Sequence, residues 1–78
     1  MAESRHELSL LGRAIRRMRE QRGMSAEQLA RATGISRQRI DTLEAGGLDP
    51  TYELLVRVAE ALRTQPSILV ALAERIAE

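Results

Sequence analysis

The sequence has no cysteine, tryptophan or phenylalanine, and only one tyrosine. Without thiols it can build neither a disulfide framework nor a thiolate metal site, and its single His6 reads as a solvated residue in a polar stretch. No Ser-His-Asp or Cys-His set and no glycine-rich phosphate loop is present, so the chain is not expected to be an enzyme or to carry a metal or other cofactor. Scarce aromatics argue against stacking on single-stranded bases and leave the core to Leu, Ile, Val, Met and Ala, which suits helices packed on helices. No apolar run nears the roughly 18 residues of a membrane span, and the N-terminus lacks a signal peptide's apolar stretch. A cytoplasmic protein without membrane contact is expected.

Lysine and asparagine are missing as well. Like phenylalanine, these are encoded by AT-rich codons, so the composition points to a GC-rich gene. The exclusive use of arginine therefore says little about fork geometry at any one position.

The charge that is present is unevenly placed. The formal net charge is only +1, but residues 1–39 hold nine Arg against four Glu, whereas residues 40–78 hold three Arg against seven acids. A net +5 half followed by a net −4 half allows a positive face suited to phosphates beside an acidic far side. Seventy-eight residues make one domain, and a chain this small buries only about 60% of its unfolded surface, so a second subunit would add to a thin stability margin.

Apolar spacing and turn chemistry divide the chain into five helices. Residues 1–7 read as a flexible N-terminal segment. Leu8, Leu11, Ile15 and Met18 recur at intervals of three and four, which predicts a helix from Leu8 to about Arg22, stopped by Gly23. Ser25 and Gln28 form a capping box that opens a helix over about 26–33. Gly34 ends that helix because a left-handed residue carries little strain without a Cβ. Ser36 caps a third helix from Arg37 to about Ala45, with Ile40 and Leu43 on its buried face and Gly46-Gly47 as its stop. Thr51 caps a fourth helix with an apolar stripe of Leu54, Leu55, Val58, Ala59 and Leu62. Pro66 opens a fifth over about 66–77, whose apolar residues cover more than the roughly 100° needed to dock on its own core.

The segment Ser25–Glu44 is the most informative. A small residue, Ala30, a turn glycine, a cap and two core positions coincide with an outward Arg37-Gln38-Arg39 triplet. Packing alone would allow an ordinary helical hairpin. The polar face, with Arg37, Gln38, Asp41 and Thr42, instead suits base edges. Arg pairs bidentately with guanine O6 and N7 and Gln with adenine N6 and N7, while the Thr42 methyl suits thymine. Asp41 either accepts from cytosine N4 or holds Arg37 in place.

From Leu11 to about Leu69 the chain resembles the Cro/C1-type (XRE) helix-turn-helix family. The resemblance rests on Leu11–Arg19, Arg22–Ser25, the helix-turn-helix segment, Glu44-Ala-Gly46, Pro50-Thr51 and Leu54–Leu62 in that order. It implies an all-α, five-helix lambda-repressor-like DNA-binding domain over residues 8–78, regulating transcription by binding a (pseudo)palindromic operator as a homodimer. In the family the positions of Arg37, Gln38 and Thr42 read bases, with Asp41 a fourth. Ser25, Glu27, Ser36 and Arg39 are the expected contacts to the DNA backbone. Arg19 and Glu44 match a partly buried salt bridge, and helix five, through Ile68, Leu69, Leu72 and Ile76, is the expected dimer interface. Ala26 departs from the family's usual Gln, leaving contact there to main-chain amides, Ser25 or Glu27. Arg63 stands where the family often has Gly.

Chains of this kind include restriction-modification controllers, phage repressors and small regulators of mobile elements. A protein-binding module such as an antitoxin is the competing class. If the protein activates transcription, an acidic patch with Glu53 or Glu60 is the candidate polymerase contact.

Overall fold

Local capping chemistry fixes most element boundaries in the computed structural model, which describes the backbone of residues 2–78 and the side chains of residues 6–78. The helices are α1 (Ala2–Gln21), α2 (Ala26–Thr33), α3 (Arg37–Glu44), α4 (Tyr52–Ala61) and α5 (Pro66–Ala77). Ser25 closes the predicted capping box: its hydroxyl oxygen accepts from the Gln28 amide at 3.0 Å, and its own amide donates to the Gln28 side chain at 2.7 Å. Ser36 and Thr51 accept from the amides of Arg39 and Leu54 in the same way. Gly34 takes the left-handed conformation (φ 74°), and its amide donates to the Ala30 carbonyl to end α2.

The start of α1 differs from expectation. The helix begins at Ala2 rather than near Leu8. Apolar periodicity marks only the part of a helix that packs, whereas Ala, Glu and Arg extend a helix on propensity alone.

The main core gathers all five helices. Ile15 and Met18 of α1 meet Leu29 and Ala30 of α2, Ile40 and Leu43 of α3, Val58 and Ala59 of α4, and Leu69 of α5. Ile35, in the turn, is buried among them. A smaller cluster of Leu10, Ala14 and Ala73 joins α1 to α5, its principal neighbour, with Leu72 and Ile76 packed against it. Thr33 seals the turn from inside. Its buried hydroxyl donates to the Leu29 carbonyl at 2.8 Å and accepts from the Ile35 amide at 3.3 Å, so no polar atom is stranded there.

Where α1 crosses the end of α3, main chain meets main chain. A Cβ on the buried Gly12 would lie 2.6 Å from the Leu43 carbonyl oxygen and still nearer that of Glu44, and one on Gly46 would lie 2.7 Å from the Ser9 Cα. Only hydrogen fits at Gly12, so the C-terminal end of α3 lies directly on α1.

Candidate nucleic-acid interface

Three ties fix α3 to the rest of the molecule, and all lie at or beyond its middle. Ile40 and Leu43 are sunk in the core. Gly12 admits the close crossing just described. The third tie is Arg19, whose guanidinium donates to both oxygens of Glu44, Nε to Oε2 at 2.7 Å and Nη2 to Oε1 at 3.0 Å, while Nη1 donates to the Met24 carbonyl at 2.9 Å. The side chains are only 12% and 9% exposed, so the expected partly buried bridge is formed with good fork geometry. The hydrogen bond to Glu44 raises the pKa of Arg19 above its usual range, against the opposing effect of burial.

The opposite end of α3 is displayed. Arg37, Gln38, Asp41 and Thr42 are all exposed. The Arg37 Nε donates to Asp41 Oδ1 at 3.1 Å, the second of the two roles open to Asp41 from sequence. Gln38 has no intramolecular side-chain hydrogen bond among the described residues. The Thr42 hydroxyl donates back to the Gln38 carbonyl at 3.0 Å, and its methyl lies beside Gly47, where an added Cβ would come within 3.2 Å of it. In this rotamer the methyl faces the loop after α3, so the expected thymine contact needs a turn about χ1.

The four expected backbone contacts separate. Ser25 and Ser36 are exposed at the starts of α2 and α3, and each hydroxyl oxygen accepts from a helix amide, leaving the O–H free to donate. Arg39 lines a cleft with Ser36, Asp49, Thr51, Glu53 and Arg57, between the turn and the start of α4. Glu27 is engaged within the protein. Its carboxylate faces cations on both sides, Oε1 at 3.5 Å from Arg37 Nη1 and Oε2 at 3.6 Å from Arg31 Nη2, and an anion there opposes phosphate instead of holding it. Nothing in the sequence spacing signals the cross-turn Glu27–Arg37 pair. Ala26 is buried, lining a polar cleft with Arg16, Arg19, Arg37, Asp41 and Glu44.

The four residues expected to form an interface on α5 differ in exposure. Leu69 is wholly buried by the chain's own core, and Leu72 and Ile76 are half-buried against it. Of the four predicted residues only Ile68 is largely exposed. Among the described residues the other exposed large apolar side chains are Tyr52, at 76%, and Val70. These two line one groove with Leu55 and Ala71, and Val70 lines a second with Leu8, Leu11 and Ala73. Among the described residues no cluster of metal-ligating side chains occurs, and no helix is long and apolar enough to cross a membrane.

A five-helix domain with its second and third helices joined by a tight glycine turn, and the third presenting a polar end, defines a helix-turn-helix DNA-binding protein. The chain belongs to the helix-turn-helix family HTH_3, which it matches over residues 15–69, and has the lambda-repressor-like fold of a transcription regulator. Similar solved structures include the clp gene regulator ClgR from Corynebacterium glutamicum, 29% identical with a TM-score of 0.87 over 88% of each chain. The restriction-modification controller protein C.AhdI from Aeromonas hydrophila is also 29% identical, with a TM-score of 0.78 over 80% of this chain and 94% of that one. A further controller protein, C.Esp1396I, solved as a tetramer in complex with its natural 35 base-pair operator, is 23% identical with a TM-score of 0.81 over 92% and 96% of the two chains. That likeness carries the fold alone. No curated protein matches the chain.

Proposed function

We propose that the protein is a sequence-specific transcription regulator that binds a (pseudo)palindromic operator as a homodimer, inserting the N-terminal end of α3 into the major groove. The observation that carries this reading is the polarity of α3: its C-terminal end is anchored by Arg19–Glu44 and Gly12, while Arg37 and Gln38 project from the free end. Eight residues make a helix about 12 Å long, and the major groove is about 12 Å wide, so one end can enter deeply. Arg37 supplies a guanine reader and Gln38 an adenine reader. Asp41 orients Arg37, Thr42 stands one turn further on, and Ser25, Ser36 and Arg39 are placed for phosphates.

One such helix covers too few base pairs for specificity in a genome. The domain measures 31 × 21 × 19 Å, so two copies side by side suit half-sites about 34 Å apart. The apolar groove between α4 and α5 lined by Tyr52, Leu55 and Val70 is the surface we assign to that pairing. A cytoplasmic, nucleoid-associated location follows from the same reading.

Similarity to C.AhdI supports control of a restriction-modification system as the finer role, which a methyltransferase or endonuclease gene beside this one would favour. If the protein activates, the exposed Glu53 and Glu60 are the polymerase contact, and Glu-to-Gln changes that left activation intact would dismiss this.

The test is selection of bound sequences from a random duplex library, with the wild type and with Arg37→Ala plus Gln38→Ala. A palindromic motif that relaxes at particular bases in the variant is expected. Sequence-blind, salt-sensitive binding alone would overturn the reading in favour of a protein-binding module.

A further inference from the structure

Arg37 stands between two carboxylates of different origin. Asp41 is one turn further along α3 and travels with it, holding Nε at 3.1 Å. Glu27 belongs to α2, ten residues back across the turn, and meets Nη1 at 3.5 Å while its other oxygen faces Arg31. Of the two, only Glu27 ties the Arg37 guanidinium to a different element.

We infer that Glu27 is a specificity-determining residue of the DNA-reading face, a negative charge that competes with phosphate for Arg37. The inference rests on the reading of α3 as the base-reading helix. A free guanidinium at a DNA surface is drawn to any phosphate, and such contacts make up sequence-independent binding. To engage DNA, Arg37 must give up a partner. Asp41 occupies Nε at the shorter distance, so the edge offered to a base is the Nη1–Nη2 edge and the contact surrendered is the longer one, to Glu27. Guanine returns two parallel hydrogen bonds through O6 and N7 for that loss. A passing phosphate merely replaces one anion by another, and it approaches a surface on which Glu27 repels it. Glu27 therefore weakens indiscriminate binding more than it weakens binding to a site with guanine in place.

The experiment measures affinity by fluorescence anisotropy across a salt series, for the duplex selected from the library and a scrambled duplex of equal composition. The proteins are the full chain as wild type, Glu27→Gln, Arg37→Ala and the double variant. Glu27 is exposed, and unchanged melting curves establish that all four are folded. Glu27→Gln should bind the scrambled duplex about 1.4- to fivefold more tightly, the worth of an exposed ion pair. Its salt dependence should steepen by up to about 0.9 in log–log slope, one further phosphate neutralised. Affinity for the selected duplex should change less, so discrimination falls. In the Arg37→Ala background the same change should have little effect. The inference is overturned if Glu27→Gln leaves scrambled-duplex affinity unchanged, or raises it equally without Arg37, which would mark a general charge effect. The reading beneath it has its own check: if Arg37→Ala keeps full discrimination, Arg37 is not a base reader, whatever Glu27→Gln does.

Discussion

Converting Glu44 to Gln should cost this domain a large share of its stability. The substitution keeps the side chain's shape and removes its charge, leaving the Arg19 guanidinium with neutral acceptors in a site where only 12% of its side chain is exposed. Removing one partner of a buried pair costs about 3–5 kcal/mol, and the residual exposure here places the cost near the lower end, about 3 kcal/mol. At about 0.05–0.15 kcal/mol per residue, 78 residues hold a total of about 4–12 kcal/mol. In a domain of this size each kcal/mol is worth about 4–8 °C, so the Tm should fall by about 12–24 °C. Thermal melts followed by circular dichroism read this, at one fixed protein concentration because association would itself shift the Tm. Arg19→Met with Glu44→Leu should recover much of the loss, since replacing both charges removes the stranded one. The pH dependence carries a definite sign. The Arg19 pKa is raised in the folded state, so its contribution is full below the unfolded pKa and is lost only as pH rises through the folded one. Both lie beyond the ordinary alkaline range, and the gap between wild type and Glu44→Gln should stay flat from about pH 7 to 10. A drop in Tm below about 4 °C for Glu44→Gln would reduce the pair to an ordinary surface contact and refute the reasoning.

Gly12→Ala should also destabilise, by about 1–3 kcal/mol, because the added methyl meets the carbonyls of Leu43 and Glu44 and α1 must back away; a urea midpoint within error of wild type would show that the crossing yields freely. Arg63 holds a left-handed backbone (φ 58°), a strain of about 1–2 kcal/mol that Gly relieves at an entropic cost of about 0.5–1 kcal/mol. Arg63→Gly should therefore raise the Tm by a few degrees, and a lower Tm would contradict that balance. Tyr52→Glu or Val70→Glu should shift sedimentation equilibrium toward monomer while leaving the circular dichroism spectrum unchanged; a dimer that persists undiminished would place the interface elsewhere.

Features set by neighbours in the chain were readable from the sequence. Ser25 with Gln28, Gly34, Ser36, Thr51 and Pro66 act within a few residues of themselves, and each marks the helix boundary expected of it. The Arg19–Glu44 bridge, 25 residues apart, was legible only through family resemblance. Features set by how helices cross were not legible. The apolar residues of α5 cover more than half of its circumference, and nothing in their spacing says which edge the core takes; the core took Leu69 and left Ile68 and Val70 outside. Glu27 lies on an exposed face of α2 by any helical wheel, and only the angle at the Gly34 turn brings it to Arg37. Thr33 gave no signal as a buried seal, because a threonine ending a helix is ordinary until its carbonyl partners are seen.

If Arg37 and Gln38 are the base readers, as proposed, the ties on α3 and its readers sit at opposite ends, which would give residues remote from the DNA a say in specificity. A rigid helix about 12 Å long that tilts by about 5° at its anchored end displaces its free end by about 1 Å. Hydrogen bonds to a base edge survive only a few tenths of an ångström of such error, given donor–acceptor distances of about 2.7–3.2 Å. Loosening Arg19–Glu44 or the Gly12 crossing should therefore blur base discrimination while much of the domain remains folded. The effect would differ from that of losing Arg37. Removal of a reader relaxes the motif at one base pair, whereas a tilted α3 weakens every position that Arg37 and Gln38 address together and leaves phosphate-driven, salt-sensitive binding largely in place. On the proposed reading, specificity in so small a protein would depend on the stiffness of one helix mounting as much as on the side chains it presents.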